Sequence, residues 1–277
     1  MILGLACALG SAALFGIAAV LQAHAMRALP EGDLGLRGFA RAALGSWPLL
    51  VVVLAYLAGF VLHAVALWLL PLYLAQASIS LSLPVTAVVS AVVLHERLEL
   101  GRWLAVTAVI AGLVLVALGA GTVEHTTSTA VLTGVGAGWL LVLGIGAPLS
   151  VKAGAGVLGA WSGLGYAGTA VTTRGLDVDD PLVSLLALAI VSALGLVAFW
   201  LYSVALGRAD VASSTAPLIV MQTCIPAVVG VAAFGDTVRA GWTVAVVAGL
   251  AVSITGAIHL GRHPGTVAAR PNVRMTP

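Results

Sequence analysis

Charge is what this chain lacks most. Asp, Glu, Lys and Arg make up 8% of its 277 residues, against an apolar fraction of 61%. A water-soluble globule carries about a quarter charged residues. With a mean hydropathy of +1.15, no soluble fold of this length could hide so much apolar surface, so lipid must solvate most of it. Cysteine occurs only at Cys7 and Cys224, both inside apolar stretches. That excludes a disulfide framework and a cysteine metal motif. The net charge of +2 is too small for a nucleic-acid partner. Glycine is plentiful, at 33 residues, yet no P-loop or dinucleotide fingerprint accompanies it. Paired carboxylates, metal clusters and nucleophile–base constellations are also missing, so neither an enzyme nor a cofactor is expected. Lysine appears once, at Lys152, while Arg, Ala, Gly and Val abound, the coding bias of a GC-rich bacterium.

What is present is a series of long apolar runs. A spanning helix needs about 20 apolar residues. Nine runs qualify: 2–22, 48–70, 73–94, 101–121, 130–149, 154–173, 181–206, 211–234 and 239–260. The first, Ile2 to Leu21, has no basic region before it and no small-residue cleavage site, so it is expected to stay as a helix. Breakers and polar runs separate the others: Pro71, His95 to Arg97, Glu124 to Thr129, Pro148 to Lys152, and Asp177 to Pro181. Lipid offers the backbone no hydrogen bonds, and the runs lack the alternation of barrel strands. The fold class is therefore an all-α membrane protein.

Basic residues orient it. With sides alternating at each span, Arg27, Arg37, Arg41, Arg97, Arg102, Lys152, Arg208, Arg262, Arg270 and Arg274 fall on one side, and Arg174 and Arg239 on the other. The positive-inside rule then puts the N-terminus outside and the C-terminus in the cytoplasm of a bacterial plasma membrane. Arg27, Arg37 and Arg41 would meet anionic headgroups.

Two stretches resemble each other. LPVTAVVSAVVLHERLELGRW runs from Leu83 to Trp103, and IPAVVGVAAFGDTVRAGW from Ile225 to Trp242. Each has a Pro (Pro84, Pro226), an apolar run, an acidic residue (Glu96, Asp236), a Gly (Gly101, Gly241) and a Trp. Upstream, LHAVALWLLP from Leu62 faces FWLYSVALGRAD from Phe199. With nine spans the two copies run in opposite directions. The expected organisation is a first repeat of four spans at 1–121, a connecting helix at 122–152, a second repeat at 153–262 and a disordered cytoplasmic tail at 263–277. Inverted repeats recur in secondary transporters, where exchange of two similar conformations gives alternating access.

Polar side chains inside spans are functional candidates. His63 is the ionisable residue well inside a span; it reads as a proton-coupling group or as a neutral His bonded across helices. Gln76, Ser80 and Thr86 on the third span, with Ser214, Gln222 and Thr223 on the eighth, form polar faces for a substrate pathway, or ordinary interhelical glue. Pro84 and Pro226 would kink their helices and free carbonyls. Glu96 and Arg97 read as a cytoplasmic gate or a salt-bridged cap. The glycines of 134–146 and 154–168, with the pair Gly159 and Gly163, predict close helix packing. All ten acidic residues lie in loops or at span ends, which counts against a hard-cation site.

The stretch Gly59–Leu98 carries a resemblance to the drug/metabolite transporter (EamA-like) superfamily, and within it to the NIPA-type magnesium transporters. Its elements are the Gly-initiated segment, the Pro71 turn, the polar helix Gln76 to Thr86 and His-Glu-Arg-Leu at 95–98. The resemblance implies a nine-span fold and transport of a small solute or ion. It also implies that Ala23 to Ser46 replaces the second helix of ten-helix relatives as a cytoplasmic loop. NIPA-like proteins carry an acidic residue where Phe60 stands here, a departure from the magnesium pattern. The leading expectation is a secondary transporter of a small polar or amphipathic solute. A magnesium or other divalent-cation carrier, and a non-transporting scaffold or accessory subunit, are the alternatives. The bilayer and the solute or ion are the expected partners, and a homodimer is compatible with the fold.

Overall fold

A computed structural model gives residues 1–27, 44–94, 100–122, 128–174, 181–209 and 211–262, with positions 38, 40, 41 and 176 between them. Ten helices organise these residues: α1 Ile2–Arg27, α2 Trp47–Leu69, α3 Leu72–Ile79, α4 Ser82–Leu94, α5 Leu100–Leu118, α6 Thr129–Ser150, α7 Ala155–Arg174, α8 Pro181–Arg208, α9 Val211–Ala233 and α10 Thr243–Arg262. The protein is an all-α membrane protein. Seven segments are long and apolar enough to cross a bilayer: α1, α2, the α3–α4 stretch Leu72–Val89, α5, α6, α8 and the Ser214–Ala233 part of α9. Large apolar side chains stand exposed along them, among them Leu54, Val61, Leu104, Leu141, Ile145, Leu149 and Leu185. Water would penalise such a surface and lipid does not.

Local chemistry sets several ends. Pro48 stands in the first turn of α2 and Pro181 opens α8, where a missing N–H costs nothing. The Ser128 hydroxyl caps α6 by accepting from the Val131 amide at 3.4 Å. Leu70 and Pro71 are extended, so α2 and α3 meet in a tight turn.

The structure revises some boundaries. α1 continues to Arg27, taking in the start of the segment expected to be a loop. The third span is two helices, broken at Ser80 and Leu81. Pro84 consequently lies in the first turn of α4 and not within a continuous helix, a position where proline removes no helical hydrogen bond. Pro148 lies inside α6, within the expected run 130–149, and Pro226 shares α9 with Pro217. Glu96, Arg97 and the tail at 263–277 lie outside the described residues.

Packing is closest in a few pairs. α1 lies against α2, α3 and α4, α7 against α8 and α9, α5 against α10, and α3 against α9, while α6 packs on α7 and α8. Small residues allow these approaches. A Cβ at Gly16 would come within 2.6 Å of the Ser82 carbonyl oxygen, and at Gly249 within 2.6 Å of that of Gly112. At Gly159 and Gly163 it would strike the carbonyls of Ser214 and Leu218. The expected packing role thus holds for these two, and for Gly136 and Gly146 against Thr172 and Trp161. Gly134, Gly138 and Gly144 face open space instead.

Candidate functional site

The predicted polar residues divide into those that meet and those that hold helices together. His63 on α2 and Gln76 on α3 are both buried. The Gln76 amide nitrogen lies 3.1 Å from His63 Nε2. An amide nitrogen only donates, so with the amide in this orientation Nε2 accepts and Nδ1 carries the ring proton. That Nδ1 is buried with no partner among the described residues. Thr223 Oγ1 donates to the Gln76 backbone carbonyl at 3.4 Å, bringing in α9. Ser80, one turn beyond Gln76, is fully buried and its hydroxyl has no partner among the described residues. Gln222 is buried on α9. Thr86 and Ser214 are fasteners: Thr86 donates to the Gly16 carbonyl at 3.1 Å, and Ser214 to that of Ala205 at 3.2 Å.

Next to His63 runs a line of rings. Phe15 meets His63 edge-on with centroids 6.3 Å apart and stacks on Tyr56 at 5.8 Å; Tyr56 meets Phe199 at 5.5 Å. The Tyr56 hydroxyl donates to Gln22 Oε1 at 2.9 Å, Gln22 Nε2 to Ser203 Oγ at 2.5 Å, and Ser203 to the Phe199 carbonyl at 2.7 Å. One chain of hydrogen bonds therefore joins α2, α1 and α8. Tyr56→Phe would strand the Gln22 oxygen and is expected to cost about 1–2 kcal/mol, read as a lower thermal midpoint in lipid nanodiscs.

Sequence reasoning missed the ion pair at one end of the bundle. Arg174, the last residue of α7, and Asp236, just after α9, are both buried, with Nη2 donating to Oδ1 at 2.8 Å. Arg174 Nη1 also donates to the Leu70 carbonyl at 2.8 Å and to that of Leu67. The Leu72 amide donates to Asp236 Oδ2 at 2.5 Å. The cation thus sits on the terminal carbonyls of α2 and the carboxylate on the first amide of α3, each charge matched to its helix end. Gly235, at a φ of 75°, makes the left-handed turn that brings Asp236 back. Around the pair, Tyr73 donates to the Thr237 carbonyl at 3.0 Å, and Thr122 and Thr237 exchange backbone and side-chain bonds of 2.8–3.2 Å. Both charges were visible as loop residues on the side poor in basic residues. Nothing in their spacing announced that they cap two ends of one turn.

Among the described residues, no three His, Cys, Asp or Glu side chains converge to hold a metal ion. No protein-family model, curated protein or solved structure matches the chain.

Proposed function

We propose that this protein is a secondary transporter of the drug/metabolite kind, moving a small polar or amphipathic solute across a bacterial plasma membrane by alternating access. A repeated hydrogen bond carries the reading. His63–Gln76 joins α2 to α3, and Tyr202–Thr215, at 2.5 Å, joins α8 to α9; each spans 13 residues. The shift along the chain that takes His63 to Tyr202 and Gln76 to Thr215 also takes Leu69, ending α2, to Arg208, ending α8. It takes Leu72, opening α3, to Val211, opening α9.

The packing supports the same exchange. Swapping α1 with α7, α2 with α8, α3–α4 with α9 and α5 with α10 turns α1–α2 into α7–α8 and α1–α4 into α7–α9. It leaves the pairs α5–α10 and α3–α9 as they are. Counting α7 and α10 as spans gives nine, with α6 the odd connector that inverts the second half. The N-terminus then lies outside and the C-terminus inside. The Arg174–Asp236 end is the latched end in this conformation, and transport requires it to open.

The test is flux in proteoliposomes loaded with a magnesium-sensitive and a pH-sensitive dye, comparing wild type with His63→Ala. Solute-dependent flux that the variant loses is the expected result. Protein-dependent magnesium entry would replace this reading with the cation carrier. Absence of any flux across a broad solute panel would favour the scaffold.

A further inference from the structure

The break between α3 and α4 lies deep in a largely buried span, and one polar atom there and one on α2 lack partners among the described residues. Ser80 is 0% exposed and His63 is 5% exposed, yet Ser80 Oγ and His63 Nδ1 lack partners among the described residues. An unsatisfied buried polar atom is costly and calls for an occupant. Gln76 links them: its amide holds the His63 ring, and Ser80, the C-cap of α3, stands four residues after it, about one helical turn on. Gly16 and Thr86 fasten α1 to the far side of the break. Phe15, which meets the His63 ring edge-on, is half-buried, as are Tyr56 and, in the break itself, Leu81.

The unmet groups define the occupant. With the Gln76 amide nitrogen on Nε2, His63 Nδ1 is the donor of the ring. The Ser80 hydroxyl donates or accepts. Formal charge is balanced elsewhere: Arg174 and Asp236 neutralise each other, and Arg102 lies in the first turn of α5 at the opposite end. Phe15 and Tyr56 offer an apolar, ring-shaped wall.

We propose that the α3–α4 break is a binding subsite for an uncharged solute, whose carbonyl, amide or hydroxyl oxygen accepts from His63 Nδ1 and Ser80 while its apolar or aromatic body lies on Phe15 and Tyr56. This deepens the transport reading and rests on it for the word solute. An anion or an ammonium ion would enter without a counter-charge, which an interior of low dielectric penalises.

The experiment uses the full chain in lipid nanodiscs with three probes of one shape: phenylacetamide, phenylacetate and phenethylammonium. Phenylacetamide is expected to raise the thermal midpoint and the two ions to leave it unchanged. Ser80→Ala is expected to raise the midpoint without probe, by deleting an unsatisfied hydroxyl, and to weaken phenylacetamide about tenfold. His63→Leu should abolish its effect; should that variant not fold, Ser80→Ala still decides. Equal or better binding of either ion, phenylacetamide binding untouched by Ser80→Ala, or no shift with any probe would overturn the subsite. Binding of phenylacetamide without flux in proteoliposomes would sink transport and leave the subsite standing. Flux of a charged solute with no phenylacetamide binding would do the reverse.

Discussion

Arg174→Ala and Asp236→Ala are each expected to destabilise the protein by about 3–5 kcal/mol, because each leaves a buried charge without its partner. Removal of the cation also uncovers the Leu67 and Leu70 carbonyls, and removal of the carboxylate uncovers the Leu72 amide. Leu67, Leu70 and Leu72 are fully buried in the protein, so neither helix end finds water as a substitute. The double variant should lose less than the sum of the two, since the groups are in contact. Thermal unfolding of the four proteins in nanodiscs measures this. Additive losses would show that the pair acts as two independent caps and not as one latch. On the transport reading the double variant also opens the latched end, so its flux should rise relative to the amount of folded protein.

Gly163→Ala should be the next largest effect. Its Cβ would strike the carbonyl of Leu218, and at Gly159 that of Ser214. These obstacles are backbone, so α7 and α9 must separate. Overpacking of this kind costs about 1–3 kcal/mol per site. The same substitution at Gly134 or Gly138, where nothing lies within 4 Å, should be neutral or slightly stabilising through better helix propensity. Thermal midpoints of the four alanine variants provide the comparison, and equal losses at all four sites would refute the packing argument. On the transport reading α7 carries Arg174 of the latched end, so Gly163→Ala is expected to reduce flux more than its stability loss explains.

The polar network shows how far a sequence can be read. His63, Gln76 and Thr223 were identifiable as polar residues inside apolar runs, and they do meet. Their role as neighbours was invisible, because helical spacing describes one helix at a time. Thr86 and Ser214 carried the same signal and turned out to fasten backbones. Gln22 stood at the end of the first run, and Tyr56 and Ser203 inside theirs carried no mark of the partners that join them. The break at Ser80 and Leu81 was hidden as well: Pro84 marked the region, but the helix stops before it.

The sequence by itself determined the solvent, the helical class and the positions of most spans, because each follows from the free energy of placing apolar runs and backbone amides in lipid. Tertiary structure decided which charges are buried, which glycines are contacts and which buried polar groups go unmet among the described residues. Arg174 and Asp236 lie 62 positions apart, and Gln76 and Thr223 lie 147 apart. Pairings at such separations are fixed by how whole helices dock, and docking depends on side-chain shape summed over many contacts rather than on any local pattern.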